Sequence, residues 1–256
     1  MGYRAEKIVP YISGSASKSE QVEFMFDEIA GKYDFLNHTL SLGIDKTWRK
    51  KGILALKDLN PKNVLDVATG TGDLALEAYH LLKPEKILGI DLSEKMMSVG
   101  YDKIVKAGLT NVISFAKQDC ADLQLENDSF DAAIVAFGVR NFERLDQSFK
   151  EILRVLKPNG KLMILELTSP DFFPVKQAYQ LYSKLIPFIG NLISRNNTAY
   201  HYLPKSIKAF PQGKEMKAIL EKNGFRNVSY KKYTLGICTL YLGRKQGFAT
   251  EPLYVS

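Results

Sequence analysis

Four carboxylates and a pair of glycines stand where a chain of alternating strands and helices would present a ligand edge. Asp66 lies in the apolar run Val64-Leu65-Asp66-Val67, Gly70-Thr71-Gly72 follows it, and Leu74-Ala75-Leu76-Glu77-Ala78 continues in helix-forming residues. A buried strand, a tight turn and a helix in that order aim backbone N–H groups and a partial positive charge at a ligand, and glycine lets the backbone approach without a Cβ in the way. Gly70, Gly72 and Ala75 keep the spacing of a dinucleotide turn, and Asp91, about 20 residues further on at the end of the next apolar run, is placed to accept hydrogen bonds from ribose hydroxyls.

That geometry suits either NAD or S-adenosylmethionine. Asp66 and Asp73 would repel a pyrophosphate at the turn and attract a cationic group. A third carboxylate, Asp119, follows the third strand, where it can meet an adenine amino group while Cys120 adds a backbone N–H. Acidic residues at three successive strand ends favour the sulfonium cofactor, with Asp66, Gly70, Thr71, Gly72, Asp91, Asp119 and Cys120 as its candidate contacts. The two cysteines, Cys120 and Cys238, lack metal-ligand or disulfide spacing, so no metal site is expected.

The elements that must position these groups are legible from periodicity. Strands are expected at Asn63 to Val67, Lys86 to Ile90, Val112 to Ala116, Ala132 to Ala136 and Lys161 to Leu167, with helices at 73–82, 93–107 and 145–156 between them. The alternation predicts an α/β fold, a Rossmann-like and mainly parallel sheet with helices on both faces and its ligand at the carboxyl ends of the strands. Phe225 to Lys232 and Tyr233 to Gly243 read as a C-terminal antiparallel hairpin following a helix at Gly213 to Asn223. An N-terminal helical addition spans residues 19–58: an apolar-rich helix with Ser19 as its cap, broken near Gly31, and a second helix from Asp45 to Leu56 carrying Trp48. A helical, strongly apolar insertion punctuated by prolines occupies 168–210, before the last helix. Its apolar surface and few cations suit packing equally with a hydrophobic pocket wall or an interfacial helix. Residues 1–18 read as a flexible arm and 246–256 as a loose tail, leaving 19–245 as one domain.

The chain has 256 residues, is 45% hydrophobic and carries a formal net charge of +7. That charge would favour nucleic acid, an anionic membrane surface or an anionic substrate, but the lysines are scattered and the strand ends acidic, which argues against a non-catalytic RNA-binding protein. Neither a signal peptide nor a transmembrane run is expected, and two distant cysteines suit a reducing cytoplasm. A homo-oligomer stays open.

On two long motifs the sequence resembles class I S-adenosylmethionine-dependent methyltransferases, and more closely the ubiquinone/menaquinone biosynthesis C-methyltransferase family. The first runs from Tyr33-Asp34-Phe35-Leu36-Asn37 through Ser41 to Trp48, with Leu36 where the family usually has Met and Asp45 where it usually has His. The second runs from Arg154-Val155-Leu156-Lys157-Pro158-Asn159-Gly160 through Glu166 to Thr168, with Asn159 for the usual Gly and Thr168 for the usual Ser. Between them stands Phe137-Gly138-Val139-Arg140-Asn141, preceded by Ala136 where a serine is frequent.

The resemblance implies contacts to the cofactor from Thr71, Asp91, Asp119 and Cys120, and methyl transfer to a ring carbon of a prenylated quinol such as demethylmenaquinol. It also implies transient contact with a membrane surface, peripheral at its inner face, and no nucleic acid. For that chemistry Arg140, following the fourth strand, is the candidate to stabilise the developing phenolate. His201 is a candidate base and Tyr200 a candidate to orient the ring hydroxyl. A methyltransferase for another small molecule would share the cofactor residues and differ behind the 172–193 stretch.

Overall fold

The computed structural model describes residues 2–11, 16–183 and 198–247. At its centre is a seven-stranded sheet: β1 (Asn63–Val67), β2 (Lys86–Asp91), β3 (Ile113–Lys117), β4 (Phe130–Ala136), β5 (Leu156–Leu167), β6 (Arg226–Tyr233) and β7 (Cys238–Arg244). The spatial order is β3-β2-β1-β4-β5-β7-β6. The first five strands are parallel; β7 runs antiparallel to β5, and β6 antiparallel to β7. Strand order therefore reverses between β1 and β4, which opens a crevice at their carboxyl ends.

Helices α4 (Asp73–Leu82), α5 (Glu94–Lys106), α6 (Leu145–Val155) and α9 (Lys214–Lys222) accompany the sheet. Two cores result. One joins Leu65, Val67 and Ile164 to Phe149 and Ile152 of α6 and Leu220 of α9; the other joins Val64, Ile134 and Met163 to Ala75 and Ala78 of α4 and to Trp48. Alternate residues of each strand enter opposite cores, as burial of both faces of a parallel sheet demands. The expected strands, helices and closing hairpin are all present. β5 starts at Leu156 rather than Lys161, its pairing with β4 stepping from Phe130–Leu156 to Ala132–Lys161 across an irregularity.

The N-terminal addition consists of α1 (Lys18–Ile29), α2 (Tyr33–Leu40) and α3 (Ile44–Leu54). The α1 cap is Ser17, whose hydroxyl accepts from the Glu20 backbone while the Glu20 carboxylate accepts from the Ser17 backbone; Ser19 instead donates its backbone N–H to Glu143. Where a flexible arm is expected, residues 2–11 lie docked. Tyr3 Oη donates to Asp146 at 2.8 Å and Glu6 accepts from the Leu145 backbone at 2.9 Å. Lys18 is buried and its Nζ donates to the carbonyls of Ala5, Arg140 and Phe142 at 2.9–3.2 Å. Polar composition suggested a free arm, but it is polar side chains that fasten it. Of the 168–210 insertion, residues 168–183, with α7 (175–183), and 198–210, with α8 (Thr198–Ala209), are described; 184–197, and with it the 184–193 part of the apolar stretch 172–193, lies outside the described residues, as does the tail beyond 247.

Candidate active site

The crevice at the β1–β4 reversal is shaped by backbone in unusual conformations. Gly72 caps α4 with φ of 74°, and a Cβ there would lie 2.8 Å from the Phe115 ring. Gly138 passes so close to β1 that a Cβ would lie 2.7 Å from that of Ala68. Ala68 and Phe137, the residues that follow β1 and β4, both hold positive φ, 53° and 59°. Side chains make that region costly, and such residues cluster where a chain is shaped for a ligand.

A cavity of about 760 Å³ occupies this crevice, lined by Gly70, Asp91, Asp119, Cys120 and Ala136 from the strand ends and by Val22 and Phe26 of α1 above. Asp91 is oriented by the turn itself: Oδ2 accepts from the Gly70 backbone at 2.8 Å and Oδ1 from that of Ser93 at 3.0 Å. Burial raises its carboxyl despite these bonds. Asp119 accepts from the Ala121 backbone through Oδ1 and from Arg144 through Oδ2 at 2.7 Å. The Cys120 thiol donates to Ser148 and burial pushes it up to about 12, so it is neither nucleophile nor charge.

A second cavity, of about 390 Å³, adjoins the first through Tyr33, Ala68, Gly70, Ala136 and Phe137 and adds Asp66, Thr71 and Arg49. Asp66 is buried; Oδ2 accepts from Thr69 Oγ1 at 2.6 Å, while Oδ1 has no hydrogen-bond partner among the described residues. Burial, with Asp91 adding to it, pushes this carboxyl up to about 7. An orphaned carboxylate oxygen beside a cavity is a place for a cationic donor. Thr71 Oγ1 donates to Asp34 of α2 at 2.5 Å. Asp73, expected to repel anions, is instead held by Lys103 at 2.7 Å and Arg49 at 3.3 Å, so it no longer argues against an anion. Gly72 lines neither cavity; its part is the turn.

These residues fit S-adenosylmethionine. The larger cavity offers the Asp91 carboxylate for ribose and Asp119 with the Cys120 backbone for adenine, and the smaller offers the free Asp66 oxygen for an ammonium and Arg49 for a carboxylate.

Two largely apolar cavities flank Arg140. One, about 630 Å³, is lined by Leu40, Ser41, Trp48, Leu167, Tyr179, Tyr182 and Ile237; the other, about 460 Å³, by Phe26, Leu36, Ala199, Tyr200 and Leu203. Asn37 of α2 lines both of these and the Asp66 cavity, and Phe137 lines the larger of the two and both cofactor-side cavities. Arg140 follows β4 in the turn Val139–Asn141. Its Nη1 donates to Glu166 Oε1 at 2.6 Å and to the Phe137 carbonyl, and its backbone N–H donates to Glu166 Oε2. Burial disfavours the cation, but buried Glu166 beside it raises its pKa, so the guanidinium stays charged. Its Nε has no partner.

Tyr200 is buried in the smaller apolar cavity, its hydroxyl without a partner among the described residues. His201 is a correction: it is exposed on α8 and lines none of these cavities, because the helix that turns Tyr200 and Tyr202 inward turns the residue between them out. His38 reaches the larger apolar cavity only through Asp45, which lines it and lies 3.0 Å from Nδ1. Tyr33, Asn37, Arg49 and Glu166 were not singled out as site residues, although Tyr33 and Asn37 stand four apart in the first long motif and so share one helix face.

The ubiE/COQ5 methyltransferase family model matches residues 15–245. A demethylmenaquinone methyltransferase of Bacteroides fragilis is 55% identical over 96% of this chain and all of its own length. One of Porphyromonas gingivalis is 46% identical over 94% and 98% of the two chains. A ubiquinone/menaquinone biosynthesis C-methyltransferase of Geobacter sulfurreducens is 40% identical over 89% and 90%. Among solved structures, the [4+2]-cyclase SpnF superposes with a TM-score of 0.65 at 16% identity, covering 90% of this chain and 96% of its own. A SAM-dependent methyltransferase of Thermotoga maritima, a possible histamine N-methyltransferase, gives 0.61 at 16%, covering 87% and 99%. At such identity these two speak for the fold alone.

Proposed function

Since the chain belongs to the ubiE/COQ5 methyltransferase family, we propose that it methylates a ring carbon of a prenylated naphthoquinol, converting demethylmenaquinol to menaquinol. It is an S-adenosylmethionine-dependent C-methyltransferase of quinone biosynthesis, and residues 19–245 are read as its one domain. The observation that carries the acceptor reading is the buried Arg140 cation set between two apolar cavities beside the cofactor crevice, a setting for a flat ring with one ionisable hydroxyl and an apolar tail.

When bound, the cofactor supplies an activated methyl group. Asp91, Asp66 and the Gly70 turn would hold it, and Phe137, which lines both cofactor-side cavities and the larger apolar one, stands where the two sides meet. Arg140 favours the ionised ring hydroxyl, which feeds charge to the ring carbon, and Glu166 fixes the guanidinium for that task. After transfer the ring proton passes to solvent water, restoring aromaticity. Tyr200 orients the hydroxyl from the smaller cavity. A prenyl tail must be collected from a bilayer, so the enzyme works from the cytoplasm at the inner membrane face; no helix among the described residues is long and apolar enough to cross a membrane.

Incubating the purified chain with methyl-labelled S-adenosylmethionine and demethylmenaquinol tests the reading. Labelled menaquinol is expected; no transfer, with cofactor binding confirmed, refutes the acceptor.

A further inference from the structure

Three elements meet at the larger apolar cavity, and each carries an exposed apolar side chain near a residue that lines it. Leu42, 86% exposed, follows Ser41 in the turn from α2 to α3. Leu181, 65% exposed, precedes Tyr182 in α7, and Phe173, 79% exposed, leads into that helix. Leu235, 62% exposed, stands two residues before Ile237 in the β6–β7 turn. Tyr182 Oη donates to the Leu40 carbonyl at 2.7 Å, tying α7 to α2, and Trp48 Nε1 donates to Thr234 Oγ1 at 2.8 Å, tying α3 to the β6–β7 turn. Lys232, paired with Asp171 at 2.7 Å, ties that turn to the start of the α7 segment.

The two turns share a second peculiarity. Leu42 and Leu235 both hold positive φ, 52° and 57°, and each is followed by a glycine in the same region, Gly43 at 74° and Gly236 at 94°. A branched side chain is disfavoured there, and glycine would sit without strain. Both turns thus carry, at a conformational cost, an apolar side chain that contributes little to the core. Exposed lysines 46, 50 and 51 of α3 and Lys176 of α7 supply cations on the same elements, Lys51 Nζ lying 5.4 Å from the centre of the Tyr233 ring at the end of β6, and Asp45, the only acidic residue of α3, is buried.

We propose that this rim is a docking surface for an anionic lipid leaflet: Leu42, Leu235, Phe173 and Leu181 enter the apolar phase, the lysines meet the headgroups, and the cavity opens toward the bilayer. The inference deepens the reading of a prenylated acceptor and rests on it, since the rim surrounds the cavity assigned to that acceptor. Apolar insertion together with basic side chains is what peripheral attachment requires.

The test is co-sedimentation of the full chain with phosphatidylcholine vesicles, with and without phosphatidylglycerol, alongside the double variant Leu42→Gly/Leu235→Gly. The parent chain should bind the anionic vesicles and release them as salt is raised. The variant should bind about tenfold or more weakly, two leucines being withdrawn from the apolar phase, while its thermal midpoint and S-adenosylmethionine affinity hold, because glycine suits both backbones. Absence of binding by the parent, equal binding to neutral vesicles, or equal binding by parent and variant overturns the proposal. No acceptor is present in the assay, so an error in the acceptor would leave this result standing. Methylation of a short-tailed soluble acceptor would in turn survive a failure here.

Discussion

Asp66 makes the binding of a cation in the smaller cofactor-side cavity a proton-linked event. Its carboxyl is pushed up to about 7 by burial and by Asp91, and its Oδ1 has no donor. Near neutrality about half of the cofactor-free molecules therefore carry a proton there. A cationic ligand beside Oδ1 favours the ionised form and must displace that proton. With Asp66 ionised throughout in the complex, affinity follows the ionised fraction: about tenfold below its plateau at pH 6, about twofold below at pH 7, and level above about pH 8. Titration calorimetry in two buffers of different ionisation heat reads the same event as about 0.5 proton released per S-adenosylmethionine at pH 7 and about 0.9 at pH 6. The variant Asp66→Asn should bind more weakly at pH 8 and show no pH dependence over this range. The cofactor-free fold carries the matching sign. A carboxyl whose folded pKa lies above its unfolded value of about 4 gives its full stability below that value and loses it as pH rises through about 7. The thermal midpoint should accordingly fall from pH 6 to pH 8 in the parent and less so in Asp66→Asn. Equal affinity at pH 6 and pH 8 with no proton released would show that the cation does not sit against Asp66.

Asp91→Ala should weaken S-adenosylmethionine binding by about tenfold or more in equilibrium titration, through loss of two charge-assisted acceptors and of the order they impose on the Gly70 turn. Arg140→Ala should keep cofactor affinity and lower kcat by about a hundredfold or more, while leaving Glu166 buried without its counter-ion, held only by backbone N–H groups, at a cost of about 3 kcal/mol; adding Glu166→Gln should restore much of the thermal midpoint and none of the rate. His201→Ala should leave kcat and KM within about twofold, since the side chain is exposed on α8. Lys18→Met removes an ammonium that serves three carbonyls and, although burial lowers its pKa to about 8, is still charged at neutral pH; limited proteolysis should then cut within residues 2–11 well before it does in the parent.

What could be read from the chain follows a physical division. The strands and helices around Gly70 to Gly72 were legible because local period and glycine placement determine them, and Asp66, Asp91 and Asp119 were legible because strand ends are fixed points in such a sheet. Arg140 and Tyr200 line the apolar cavities, and their roles there belong to the proposal; Glu166 and the junction residue Asn37 were not legible, because what they touch is set by contacts between distant elements. His201 misled for a related reason: a helix carries Tyr200, His201 and Tyr202 at 100° steps, so neighbours in the chain point to different surroundings. Asp73 read as a carboxylate that repels anions at the turn, and only the approach of α3 and α5, which bring Arg49 and Lys103 to it, makes it part of a network. The polar N-terminus looked free because the groups that fasten it to the sheet domain, Asp146 and Leu145, lie more than a hundred residues away.

The place of β7 has a consequence for how the chain is made. Leu162 to Leu165 of β5 are fully buried between β4 and β7, yet β7 (Cys238–Arg244) is the last strand among the described residues. During synthesis β5 can pair with β4 while its other edge, a row of unpaired N–H and C=O groups on an apolar strand, waits for about 70 further residues to leave the ribosome. That interval is the time in which a nascent chain is open to pairing with another copy. Chains released before β7 should collect in the insoluble fraction, and slow translation between β5 and β7 should lower the soluble yield without altering the finished enzyme.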